Sequence, residues 1–318
     1  MAVPPPPGIY VPVPTFFSKP ESEAGIPELD VATQTKHALH LASSGIRGLV
    51  LLGSTGEAIA VTNSERKTLL SQVRQGMDKA GWKDYPIIAG TATQGIEDTI
   101  TQLQISKDAG AQWGLVLAPG FFATCITQEG LKHWYTAIAN RSPLPILIYH
   151  YPAVSNSLVL SASTFTALSS HPNICGAKLS HGDLSLHTQL ASSPLPSMAH
   201  DQFATFTGLG QQLLPVLTVG GAGAIDGLAA FFPKTVVRLY ELIKKGDLTA
   251  ARELQEIVAR GEGLVVGHGV VGVKEGVRRL LGWDSECRLP LVKGLKGEQW
   301  DEWKGVVGEL EKVEKGLS

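Results

Sequence analysis

The feature that most constrains this chain is its alternation. Short apolar runs at residues 9–13, 48–52, 86–90, 114–117, 145–149, 174–178, 203–207 and 219–225 are separated by segments with apolar residues at helical spacing. Short runs of unbroken apolarity read as strands buried on both faces. Their starts mostly recur at about thirty residues, enough for a strand, a helix and two loops. Strands in this order pair in parallel through right-handed crossovers. The prediction is an α/β fold, a closed (β/α)8 barrel, with an open doubly wound sheet as the alternative.

Local signals place the helices between those runs. Asp30 caps a helix carrying Val31, Ala38, Leu39 and Ala42, and Thr62-Asn63-Ser64-Glu65 reads as a capping box ahead of Leu69, Val73 and Met77. After Ile225 the pattern turns to helix only. Pro233 opens one helix, Gly246-Asp247 ends it and caps a second through Ala251, Leu254 and Val258, and a third covers 272–281. The expected organisation is a barrel over 1–228, with a short proline-rich N-terminal tail, and a helical segment over 229–318.

Bulk properties exclude several classes of partner. The 318 residues are 43% hydrophobic, enough for a large core, and the net charge of −2 suits neither nucleic acid nor an anionic membrane. No uncharged apolar run is long enough to span a bilayer. Cys125, Cys175 and Cys287 are scattered and odd in number, which gives no disulfide framework and no paired metal spacing. The N-terminus has neither the basic nor the apolar region of a signal peptide. A soluble cytoplasmic protein is expected.

In a barrel the chemistry sits at the C-terminal ends of the strands. That rule selects Ser54 and Thr55 after strand two, Phe121 and Phe122 after strand four, and Tyr149 on strand five. It adds Lys178 on strand six, Gly208 after strand seven, and Gly223 and Ile225 on strand eight. A lysine ending a buried strand must be desolvated or paired, or else lie flat with its head in water. If desolvated, its amine is nucleophilic. One lysine, one tyrosine, two hydroxyls and bare backbone N–H groups meet the needs of imine chemistry on a small 2-oxo acid. Each residue also has a plainer reading. Tyr149 can be a barrel tyrosine satisfied by backbone, the Phe pair core, and the glycine run 220–223 close packing. Gly53-Ser54-Thr55-Gly56 is followed by no Gly-Lys-Ser/Thr, so it is no phosphate loop. His150 and His181 flank the mouth without ligand spacing, so no metal is expected.

Five motifs in order carry a resemblance: G-S-T-G-E at 53–57, I-Y-H-Y-P at 148–152, G-A-K at 176–178, G-G-A-G-A-I at 220–225, and V-K-E-G-V-R-R-L-L-G at 273–282 before R-L-P-L at 288–291. From about Gly8 to Leu291 the chain resembles the dihydrodipicolinate synthase / N-acetylneuraminate lyase family of pyruvate-dependent class I aldolases. The resemblance implies a (β/α)8 barrel with a C-terminal helical segment, assembled as a homotetramer. It implies an imine between pyruvate and Lys178, with no organic cofactor, and Tyr149 as proton shuttle linked by Ser54. Thr55 would bind the pyruvate carboxylate, Ile225 would present backbone groups, and Gly208 would keep space open.

Three positions depart from the synthase pattern. Where the synthases carry an arginine for the second substrate's carboxylate, this chain has Val154. Where they carry an inter-subunit tyrosine, it has Phe121 or Phe122, and Leu179 stands where an aspartate commonly follows the lysine. A valine cannot replace a bidentate carboxylate clamp. These departures favour an aldolase or lyase that cleaves or forms a bond between pyruvate and an aldehyde, on a 4-hydroxy-2-oxo acid or a 2-keto-3-deoxy sugar acid. The expected partners are thus a 2-oxo acid and an aldehyde. Dihydrodipicolinate synthase, N-acetylneuraminate lyase and a non-catalytic 2-oxo acid binding protein on the same barrel are the alternatives.

Overall fold

A computed structural model describes residues 2–20, 22, 25–191 and 203–317. Its strands are β1 (Gly8–Pro12), β2 (Gly48–Leu51), β3 (Ile87–Thr91), β4 (Trp113–Leu117), β5 (Ile146–His150), β6 (Ile174–Leu179), β7 (Ala204–Thr207) and β8 (Gly223–Ile225). They pair in parallel in chain order and close into a barrel, β8 against β1. The doubly wound alternative is therefore set aside. Around the barrel run helices α1 (Val31–Ser43), α2 (Asn63–Lys79), α3 (Ile96–Asp108), α4 (Gln128–Arg141), α5 (Ala162–Ser169), α6 (Leu184–Ala191), α7 (Leu213–Thr218) and α8 (Pro233–Lys245). The chain continues through α9 (Leu248–Leu281), α10 (Gly297–Asp301) and α11 (Lys304–Gly316).

Barrel residues divide by the alternation of a strand. Tyr10, Val50, Ile88, Leu115, Leu147, Cys175, Phe206 and Ile225 fill the interior as one buried cluster, so the barrel is a packed core rather than a pore. Residues of opposite parity pack outward against the helices; on β6 a register shift at Cys175 resets the alternation, so that Ala177 and Leu179 face outward although Cys175 faces in.

Several cap signals appear as the sequence predicts them. The Asp30 carboxylate accepts from Thr33 N–H, the Thr62/Glu65 capping box is complete, and Gly246 closes α8 in the left-handed region at φ 77°. Two elements differ. The eighth strand was expected from 219, yet Gly220 turns at φ +102° and Gly221 N–H caps the Val216 carbonyl, so the strand begins only at Gly223. The glycine run is thus a helix-ending turn before it is a strand. The second and third C-terminal helices join into α9, interrupted only at Gly269 (φ 54°, ψ −137°). Glycines at 261 and 263 lie within it as close-approach sites. A Cβ on Gly261 would lie 2.4 Å from Leu310, and one on Gly263 would lie 2.6 Å from Trp303.

Candidate active site

The register of β5 and β6 sets Tyr149 directly beside Lys178. Since Ala177 and Leu179 face the helical layer, Lys178 and Ser180 face the barrel axis. The Lys178 Nζ donates to the Tyr149 hydroxyl at 3.3 Å and lies 4.5 Å from the centre of that ring. The same hydroxyl meets Ser54 Oγ at 2.9 Å. A chain of polar atoms thus runs from the amine through the phenol to the loop after β2.

That loop is tied to its surroundings by several bonds. Leu52 and Glu57 bracket it in the left-handed region, at φ 59° and 50°. Glu57 N–H bonds the Ser54 carbonyl at 3.1 Å, and Thr15 Oγ1 bonds the Gly56 carbonyl at 2.6 Å. The Glu57 carboxylate is buried in an ion pair with Lys274 of α9 and accepts the Arg288 backbone N–H at 3.0 Å. The C-terminal segment therefore fixes the loop that carries Ser54 and Thr55.

Burial controls the electrostatics. Lys178 is 4% exposed, and desolvation pushes its amine down to about 7, with the Asp226 charge acting in the opposite direction. Desolvation pushes the Tyr149 phenol up to about 12, which hydrogen bonds from Ser54 and Ser180 partly offset. Near neutral pH the site therefore holds a substantially neutral amine beside a protonated phenol, the pairing that nucleophilic attack and proton return require.

One cavity gathers Ser54, Thr55, Tyr149, Lys178, Gly208 and Ile225 of the sequence-selected residues. Gly208 is required by crowding, since a Cβ there would lie 1.8 Å from Ser180 Oγ and 3.0 Å from Lys178 Cε. Gly223 is not among the residues lining this cavity. It starts β8 beside Gly8, where a Cβ would meet the Gly8 carbonyl oxygen at 1.9 Å, so it serves barrel closure. Phe121 and Phe122 also lie outside it. They are 72% and 66% exposed and contact each other edge to face. Of the three departures from the synthase pattern, Val154 lines the cavity and Leu179 does not.

The structure adds residues that the motifs did not select. Ser180 was within reach of strand parity, two positions beyond Lys178. Tyr151, Leu209, Glu262, Val265, Val266 and Val270 also line the cavity, the last four from α9 around its break at Gly269. Behind them Asp226 follows β8 and lies against Glu262, both essentially fully buried, and Leu228 N–H reaches them at 2.8 and 3.3 Å. No helix among the described residues is long and apolar enough to cross a membrane.

Comparisons with known proteins agree with this geometry. The model of the dihydrodipicolinate synthetase family matches residues 14–305. A protein of Emericella nidulans named "Probable 4-hydroxy-2-oxoglutarate aldolase, mitochondrial" is 37% identical over 90% of this chain and 89% of its own. The L-threo-3-deoxy-hexylosonate aldolase of Aspergillus niger is 32% identical over 98% of this chain and 97% of its own. A crystal structure of a dihydrodipicolinate synthase family protein from Coccidioides immitis superposes with a TM-score of 0.85 at 31% identity, covering 100% of this chain and 99% of that one. The barrel, its buried lysine and these matches together make the chain a member of the dihydrodipicolinate synthetase family, a lyase of its aldolase branch.

Proposed function

We propose that the protein is a class I aldolase that cleaves a 4-hydroxy-2-oxo acid or a 3-deoxy-2-oxo sugar acid to pyruvate and an aldehyde, through an imine on Lys178. The observation that carries this reading is the buried Lys178 amine 3.3 Å from the Tyr149 hydroxyl. The names of the Emericella and Aspergillus relatives support the substrate class.

The residues divide the work as follows. The neutral Lys178 amine attacks the C2 carbonyl, and Tyr149 moves protons as the carbinolamine loses water to become the imine. The C4 hydroxyl loses its proton to a base, and its electron pair forms the aldehyde carbonyl. The C3–C4 bond breaks, and its pair enters the imine as an enamine. C3 then takes a proton, and water returns to hydrolyse the imine and release pyruvate. The imine is itself the electron sink, so these steps call for neither a metal nor an organic cofactor. Thr55, Ser54 and the loop N–H groups are the candidate holders of the C1 carboxylate, and Ile225 and Gly208 shape the floor.

The homotetramer and a reducing compartment complete the proposal. Cys125, Cys175 and Cys287 are free. Since the Emericella relative is named as mitochondrial, fractionation decides between cytosol and mitochondrion. The reading is tested by incubating the protein with racemic 4-hydroxy-2-oxoglutarate and with 3-deoxy-2-oxo hexonates, and measuring pyruvate release. Release from at least one, abolished in Lys178→Ala, is expected; no release from any contradicts it.

A further inference from the structure

The cavity has two unlike halves. The Lys178 half carries Tyr149, Ser54, Thr55 and Ser180, while the other half is Val154, Leu209, Val265, Val266 and Val270, interrupted by one carboxyl, Glu262. Among the described lining residues Lys178 is the only cationic side chain, and once the imine forms its nitrogen is committed to the pyruvate half. Glu262 belongs to a buried pair. Asp226 Oδ2 is buried with no hydrogen-bond partner among the described residues, the Glu262 carboxyl lies against Asp226, and a Cβ on Gly210 would lie 2.4 Å from Asp226 Oδ2 and 2.8 Å from Glu262 Oε1, so glycine leaves room for the two acids.

Two carboxyls this close and this dry cannot both ionise. Burial raises Asp226 as well, but a hydrogen bond from Glu262, the backbone N–H groups of Leu228 and Ala229 and the Lys178 charge all draw it back, so the single negative charge of the pair settles there. Burial and the Asp226 charge hold Glu262 well above the usual carboxylate range. With its proton committed to Asp226, the Glu262 carboxyl offers the cavity lone pairs rather than charge. A lone-pair acceptor suits a hydroxyl donor. It repels a carboxylate, which would also lie buried near Asp226 without a counter-ion.

Building on the aldolase reading, we infer that Glu262 is a specificity-determining residue, which selects an uncharged hydroxyaldehyde over an aldehyde bearing a carboxylate. The substrate in the cleavage direction is then a 3-deoxy-2-oxo sugar acid whose far end carries hydroxyls. The reaction that supplies it is the dehydration of a sugar acid, which removes a hydroxyl at C3 and leaves the 2-oxo group.

The test compares two acceptors of equal carbon number. Pyruvate is condensed with glycolaldehyde or with glyoxylate, and kcat/KM is measured for each, with glyceraldehyde as a longer hydroxyaldehyde. Wild type is expected to favour glycolaldehyde over glyoxylate by at least about tenfold, with glyceraldehyde at least as good as glycolaldehyde. E262Q and E262L should reduce the glycolaldehyde-to-glyoxylate ratio by about tenfold or more, and V154R, which adds a guanidinium at the half-open rim, should reduce it too. A wild-type ratio of one or less overturns the inference whatever the variants do, as does a ratio unchanged in soluble, folded E262Q and E262L. Borohydride trapping of pyruvate on the same samples separates the two levels. A trapped wild-type adduct with glyoxylate preferred rejects only the selectivity, whereas no trapped adduct rejects the aldolase reading itself.

Discussion

The Lys178 amine lies 3.3 Å from the Tyr149 hydroxyl, on neighbouring strands whose register pairs those two residues directly. The contact has a chemical consequence because both groups are buried. Burial removes charge from the amine and keeps the proton on the phenol. A buried amine and a phenol are thereby placed side by side by strand pairing rather than by a mobile loop.

The first prediction concerns pH. Imine formation needs the unprotonated amine, and the Lys178 value is pushed down to about 7. The rate of imine formation with pyruvate should therefore fall with unit slope as pH drops below about 7. Because the Asp226 charge raises the amine's value, Asp226→Asn should move that limb to lower pH. A limb near the ordinary lysine value in the wild type would contradict the desolvation argument.

Tyr149→Phe keeps the ring that faces the amine and removes only the hydroxyl. Loss of a positioned proton carrier lowers the rate by about 10²–10⁴-fold. Ser54→Ala removes one hydrogen bond to that hydroxyl, a smaller effect of about tenfold. Stopped-flow measurement of pyruvate imine formation checks both. Equal effects, or none for the phenylalanine, would remove Tyr149 from the proton path.

The Glu57–Lys274 pair is 2–4% exposed in its side chains and supports the Ser54-Thr55 loop. Removing one partner of such a pair strands the other charge, at a cost of about 3–5 kcal/mol. Lys274→Met should lower stability by that amount in urea unfolding, and it should weaken pyruvate binding more than the same change at Lys312, an exposed lysine of α11, does. Wild-type stability in Lys274→Met would show that the loop does not depend on the pair.

Acid should destabilise the protein through its histidines. His37, His150 and His187 are fully buried, and desolvation pushes each from its ordinary 6.5 down to about 4. Between those values the unfolded chain binds protons that the folded chain refuses. The stability is thus fully present above about 6.5 and is lost as pH falls towards 4, on the order of 2–3 kcal/mol per histidine. Urea unfolding at pH 7 and pH 5 measures it. Equal stability at the two values would mean that these imidazoles protonate in place.

The sequence made the barrel legible because its strands are apolar on both faces and several helices, α1 and α2 among them, carry readable caps. Residues at the C-terminal ends of strands followed from that pattern, and Lys178, Tyr149, Ser54, Thr55, Gly208 and Ile225 do converge. Gly223 lies at a close strand approach and not among the residues lining the cavity, and in sequence a glycine needed for such an approach looks like one needed for a ligand. Glu262 and the valines of α9 were illegible for another reason. They reach the cavity from more than eighty residues beyond Lys178, through a helix that stays continuous across glycines and bends only at Gly269. No local spacing connects them to strand ends; only tertiary packing does.

The central claim is that Lys178 forms an imine with pyruvate. The most direct measurement is intact-protein and peptide mass spectrometry after borohydride reduction in the presence of pyruvate. The account predicts a single reduced pyruvate adduct located on Lys178 and absent from Lys178→Ala. No adduct on the wild-type protein, or an adduct that persists in Lys178→Ala, would contradict it.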